Sequence, residues 1–196
     1  IMGIAQKFQE DPVQIKITRK EVTNENIEQT YFEVKQRGKI EVTCRVLDAY
    51  DLKQVIIFCN TKRKVDEVTE ELSSKGYSVE SLHGDLRQTQ RNQVMAKFRS
   101  GAANILVATD VAARGIDVSG IDAVINFDVP LDEEYYVHRI GRTGRAGALG
   151  TSVSFACEDD AFLIPKLEEA IGRKLPSKYP EDELLEDIPA MRGEQK

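Results

Sequence analysis

Three short apolar runs constrain this chain most: 55–59 (VIIFC), 104–108 (NILVA) and 123–127 (AVINF). Each is short and apolar along nearly its whole length, as in a parallel strand buried on both faces. Between and around them lie segments with helical spacing. Residues 61–75 carry Val65, Val68 and Leu72, and residues 87–99 carry Val94, Met95 and Phe98. Gly76 and Gly101 follow as stop signals. Further strands are expected at 27–34, 77–82 and 151–156. Further helices are expected at 39–50, at 132–140 with an acidic first turn that suits the helix dipole, and at 159–171. Pro165 marks either the true start of that last helix or a kink in it. Strands alternating with helices predict an α/β fold, a mostly parallel sheet with helices on both faces. Ligands of such sheets bind in the loops at the carboxyl ends of the strands. The unusual residues fall there: Asn60 and Thr61, then His83, Gly84 and Asp85, then Thr109 and Asp110.

With 196 residues, one domain plus tails is expected. Residues 1–8 (IMGIAQKF) carry a helical stripe that begins without a cap, as if cut from something longer, and Pro12 ends it. Residues 13–26 read as an extended linker. We therefore expect 1–26 to be the end of a preceding domain with its linker, 27–175 the domain itself, and 176–196 an acidic tail. No run of 18 apolar residues predicts a membrane span, and no signal pattern opens the chain. Cys44, Cys59 and Cys157 are isolated, which argues against a disulfide framework or a zinc site, so no metal ligand set is expected and a reducing cytoplasm fits best. The net charge of −6 argues against a broadly nucleic-acid-binding surface. Half of that excess lies from residue 176 onward, where six acids face three bases. Any nucleic-acid surface must then be a local patch.

Residues 138–145 (HRIGRTGR) carry the sharpest chemistry. Arg139, Arg142 and Arg145 recur every third residue, and on one helical turn residues three apart share a face. Two guanidiniums aimed at one place suit a polyanion, because the planar fork matches phosphate oxygens. This is the chemistry of an arginine finger on a transferring phosphoryl group. Gly141 and Gly144 are expected to let the backbone approach the anion. Residues 108–118 (ATDVAARGIDV) run from a strand end into small residues, and Asp117 can accept from a sugar hydroxyl.

Taken in order, VIIFCNT, QTQR (88–91), ATDVAARGID and HRIGRTGR resemble motifs IV, QxxR, V and VI of DEAD-box RNA helicases. The chain resembles the second, RecA-like domain of that family from its start to about residue 171. The resemblance implies a three-layer RecA-like domain. It makes Arg142 and Arg145 the fingers on the ATP γ-phosphate and puts Asp117 on the ribose, with Gly115 on the same nucleotide side. His138 and Arg139 would contact the first domain on closure. Thr61, Gly84, Arg91, Thr109 and Gly115 would line the RNA backbone, contacts that carry little sequence information. The chain has no GxxxxGK[ST] loop and no DEAD sequence, so ATP and Mg would be held mainly by another, N-terminal RecA-like domain. The expected activity is half of an ATP-dependent RNA helicase, inactive on its own. A DNA translocase domain and a non-enzymatic RNA- or protein-binding module are the alternatives.

Overall fold

A computed structural model describes residues 25–179. The expected helix at 1–8 and most of the linker and tail lie outside the described residues. Strand β1 (Ile27–Glu33) is followed by helix α1 (Lys39–Ala49), then β2 (Val55–Phe58) and α2 (Lys62–Ser74). Next come β3 (Val79–Leu82), α3 (Gln88–Ser100), β4 (Ile105–Ala108) and the single-turn α4 (Asp110–Ala113). β5 (Ala123–Asn126), α5 (Glu133–Ile140), β6 (Gly150–Ala156), α6 (Ile164–Ile171) and β7 (Ser177–Lys178) complete the order.

All seven strands join one parallel sheet in the order β3-β4-β2-β5-β6-β1-β7. Every residue of β2, β4 and β5 is buried, as expected of central strands, with Asn126 at the end of β5 the one polar residue among them. Side chains alternate between faces. Val55, Ile57, Val107, Ile125 and Phe155 pack under α1 and α2 through Val46, Val65, Val68 and Leu72. Ile56, Phe58, Leu106 and Val124 pack on the opposite face against Val94, Met95 and Phe98 of α3 and Ala112 of α4. On that same face, further along the sheet, α5 and α6 bury Tyr136, Ile140, Ile164 and Leu167 over Ile27. The result is the expected three-layer α/β domain.

Local signals explain most boundaries. Thr61 caps α2, its hydroxyl accepting from the Lys64 amide at 3.2 Å. Gly101 ends α3 at φ +76°, a left-handed turn that only glycine adopts readily. Asp132 caps α5 by accepting from the Glu134 amide at 2.8 Å. Pro165 sits in the first turn of α6, which resolves the choice between start and kink. Two expectations shift. The strand expected from residue 77 begins at Val79, and the Tyr77 hydroxyl donates to Asp48 on α1 at 3.1 Å. The sheet also runs past the boundary expected at 175, since β7 pairs with the outer edge of β1.

Candidate functional site

The sheet changes direction around β2: the chain fills β3 and β4 on one side, then crosses to β5 on the other. Loops at the carboxyl ends of β4, β2 and β5 therefore splay apart around a crevice, the usual ligand position in such sheets. The side chain filling the base of that crevice is Arg139, the largest fully buried one at 1% exposure. Its Nε and Nη2 grip both oxygens of Asp110, at 2.6 and 2.7 Å. Nη2 also donates to Asn60 Oδ1 at 2.8 Å. Nη1 donates to the Asp128 carbonyl at 2.7 Å and to Asn126 Oδ1 at 3.4 Å. The guanidinium lies 5.2 Å from the centre of the Phe58 ring. All five of its N–H donors are spent inside the domain.

This arrangement differs from the expectation that Arg139 contacts another domain. Within this domain its guanidinium has no spare donor and is only 1% exposed. Arg139 instead ties together the loops after β2, β4 and β5. Its neighbour His138 is exposed, and its ring has no partner among the described residues.

Arg142 and Arg145 are not on a helix, because α5 ends at Ile140. They lie in the tight turn that follows, yet still point alike, each folding back on a carbonyl four residues earlier. Arg142 Nε donates to the His138 carbonyl at 3.2 Å, and Arg145 Nε to the Gly141 carbonyl at 2.9 Å. Arg142 Nη1 reaches the Ile116 carbonyl at 3.0 Å, and Arg145 Nη1 lies 3.4 Å from Asp117. Nη2 of both arginines has no partner among the described residues. Burial, then the like charge of Arg145, lowers the Arg142 pKa from its ordinary value, with Asp117 opposing. The two cations are thus packed close in a half-exposed place where an anion would relieve their repulsion. Gly115, Tyr135, His138 and Arg142 line one depression of about 220 Å³ beside them, floored by Phe58 and Arg139.

Gly144 has a packing role beside the anion-approach role expected of it and Gly141. At Gly144, φ is +64° and a Cβ would lie 2.6 Å from Ile27 Cγ1. Gly150 likewise leaves room for Thr143, whose hydroxyl donates to the Ile121 carbonyl at 2.6 Å. These contacts seat the turn against β1 and hold both arginines in place.

The other site residues form a separate strip. Gly84, Thr109 and Thr61 follow β3, β4 and β2, which are consecutive in the sheet. Gly84 and Thr61 are exposed, and Thr109 is half-buried with its hydroxyl not engaged in a helix cap. Lys62 and Asp85 clasp the first and last of these loops at 2.8 Å. The pairing lowers the Asp85 pKa and raises that of Lys62. Arg91 enters from the first turns of α3, and its Nη2 donates to the Ala112 carbonyl at 3.0 Å. Gly115, at φ +75° with open space around it, lies in the loop between strip and arginine turn.

Sequence placed Asp110 in a ligand loop but gave no functional reading to Asn126, Asp128 or Lys39. Asp110, Asn126 and Asp128 hold Arg139, and the fully buried Lys39 pairs with Asp160 at 3.3 Å and lies 3.8 Å from Asp128. A signal existed for Arg139. On a helix starting at Glu133, positions 136, 139 and 140 share one face, and two of them are apolar.

A parallel sheet with a bracing arginine and a two-arginine turn is the architecture of a helicase C-terminal, RecA-like domain. The chain belongs to the DEAD-box proteins and carries the helicase conserved C-terminal domain, matched over residues 38–147. It is 47% identical over 175 residues to the DEAD-box ATP-dependent RNA helicase CshA of Bacillus licheniformis, covering 89% of this chain and 36% of that protein. The CshA of Geobacillus kaustophilus is 46% identical over 188 residues, 95% of this chain and 40% of that one. The chain thus spans less than half the length of these relatives. Among solved structures, the E. coli DEAD-box protein SrmB bound to regulator of ribonuclease activity A superposes with a TM-score of 0.77 at 31% identity. That match covers 85% of this chain and 99% of the SrmB chain. S. cerevisiae Dbp5 bound to RNA and ADP BeF3 gives 0.81 at 30% identity, covering 92% of this chain and 49% of the other. No helix among the described residues is long and apolar enough to cross a membrane.

Proposed function

We propose that this chain is the C-terminal half of an ATP-dependent RNA helicase, working with an N-terminal RecA-like domain of the same protein. The observation that carries the reading is the pair Arg142 and Arg145. Both are aimed by backbone carbonyls, both keep a free Nη2, and both sit next to an exposed carboxylate at Asp117. Two fixed guanidiniums suit the charge that spreads over a transferring phosphoryl group, and Asp117 suits a ribose hydroxyl. ATP supplies the phosphoanhydride that is cleaved. The chain's residues fit the terminal phosphate and the ribose of such a nucleotide. No group of acids that could hold Mg occurs among the described residues, and we assign Mg and the phosphate cradle to the preceding domain.

Each residue then has a task. Arg142 and Arg145 hold positive charge where negative charge grows. Arg139 keeps α5, and so their turn, at a set height above the sheet. Gly84, Thr109 and Thr61, with Arg91, offer a strip along the strand ends for an RNA backbone. The strip holds few cations, so affinity from this half alone is modest and salt-sensitive. The Dbp5 neighbour, solved with RNA and ADP BeF3, supports the same pairing of ligands here.

The test is ATP hydrolysis by the full-length protein with RNA or single-stranded DNA as stimulator. RNA is expected to stimulate and DNA is not. Arg142→Ala or Arg145→Ala should lower kcat about 10³-fold or more, the scale of a lost arginine finger. Stimulation by DNA alone would make the protein a DNA translocase, and unchanged kcat in both variants would remove the fingers.

A further inference from the structure

A parallel sheet covered on both faces is normally apolar on both. One stretch of this sheet is not. On the face under α5, β6 presents Ser152 and Ser154, both fully buried, while Val153 and Phe155 between them line the apolar core opposite. Ladder register puts Gln29 of β1 beside Ser152 and Asn126 of β5 beside Ser154. Four polar side chains therefore share one buried face, between the apolar cluster under α3 and the one under α5 and α6. Two side chains of α5, three residues apart and so on one face, come down onto this row. The Tyr136 hydroxyl donates to Gln29 Oε1 at 2.9 Å. Arg139 Nη1 reaches Asn126 Oδ1, and Asn126 Nδ2 donates to Ser154 Oγ at 3.0 Å.

The row is not the most stable filling of that space. Gln29 Nε2 is buried with no hydrogen-bond partner among the described residues. Such a group costs stability that an apolar side chain of similar shape would not. Burial pushes the Tyr136 phenol up to about 12, so it stays a neutral donor under ordinary conditions. The row offers something apolar packing lacks. Apolar contacts are non-directional, so an eight-residue helix held by them alone can slide or roll. A hydrogen bond tolerates only a few tenths of an ångström and a limited angle. Two directional anchors, Tyr136 at one end of the buried face and Arg139 at the other, fix the roll and height of α5. The arginine turn starts at the next residue after that helix, and charge stabilisation requires placement within about half an ångström.

We propose that Gln29 and Tyr136 are positioning residues for the fingers Arg142 and Arg145, acting with Asn126 and Ser154 through the setting of α5. The proposal rests on the finger reading above. Gln29 and Tyr136 are both buried, 4% and 0% exposed, so their effect falls on the transition state and not on nucleotide capture.

The test uses the full-length protein, with RNA-stimulated ATP hydrolysis and thermal unfolding measured on the same samples. Two variants are compared, Tyr136→Phe and the apolar pair Gln29→Met with Tyr136→Phe. The pair removes the hydrogen bond and the unpartnered Gln29 amide together. It should melt at or above the wild-type temperature while kcat falls about tenfold or more, the scale of a small misplacement. KM for ATP should stay within about twofold, since the lost interaction is made only in the transition state. A purely structural role predicts the reverse, with activity following the melting temperature. Wild-type kcat in a folded pair variant overturns the proposal. If the pair does not fold, Tyr136→Phe alone decides on the same two readings. Arg142→Ala runs alongside. If it abolishes turnover while the pair variant keeps it, only the positioning proposal fails; if it leaves turnover intact, the finger reading itself has failed.

Discussion

Replacing Arg139 with alanine separates stability from catalysis within one short motif. The substitution removes five hydrogen bonds and leaves the Asp110 carboxylate, 16% exposed, without its bidentate partner. It also strips a donor from Asn60, from Asn126 and from the Asp128 carbonyl. Breaking a buried ion pair on one side costs about 3–5 kcal/mol, and the cavity left by the side chain adds to this. In a domain of this size each kcal/mol moves the melting point by roughly 2–4 °C, so a drop of about 10 °C is expected. By contrast, Arg142→Ala loses contacts only at a half-exposed carbonyl pair and should change stability by about 0.5 kcal/mol or less. The assay is thermal or urea unfolding of this chain, followed by circular dichroism, with both variants against wild type. The double variant Arg139→Met with Asp110→Leu adds a sign check. Removing both charges should recover part of the loss, because an apolar pair needs no compensation. An Arg139→Ala chain that melts within about 2 °C of wild type would refute the reasoning, since that is less than one kcal/mol.

Other outcomes follow from the same geometry. The isolated chain should not hydrolyse ATP at any RNA concentration, measured by phosphate release after a contamination control. Gly144→Ala should lose about 1–3 kcal/mol, from a left-handed backbone at φ +64° and a Cβ driven into Ile27, read by urea unfolding. Arg91→Ala in the full-length protein should weaken RNA binding and flatten the log–log salt slope by about 0.7; unchanged affinity and slope would take the RNA path off the start of α3. Asp85 has a lowered folded pKa, so its clasp with Lys62 contributes above the ordinary carboxylate value of 3.8 and is lost as pH falls through the folded pKa. A titration by NMR should therefore find the Asp85 carboxylate ionised below that value, and Lys62→Met should return it to normal.

What the sequence determined by itself is what depends on neighbours a few residues apart. The apolar runs at 55–59 and 104–108 declare strands buried on both faces, and spacings such as Val65, Val68 and Leu72 declare helices. Thr61, Asp132, Gly101 and Pro165 mark ends because capping is a local hydrogen-bond problem. The ordered motifs also named the family, and the paired arginines at 142 and 145 announced phosphate chemistry. The helical spacing placed Arg139 on the face of Tyr136 and Ile140, but nothing local supplied the partners that make its burial possible. Its burial depends on Asn60, Asp110 and Asp128, which reach it only because the sheet order sets β4, β2 and β5 side by side. The packing role of Gly144 was missed for the same reason: Ile27 is its neighbour in space, not in sequence. The polar row of Gln29, Ser152, Ser154 and Asn126 appears only once register aligns three strands. Local pattern selects elements, whereas which charge is buried and which is left free is decided by what the crossovers bring together.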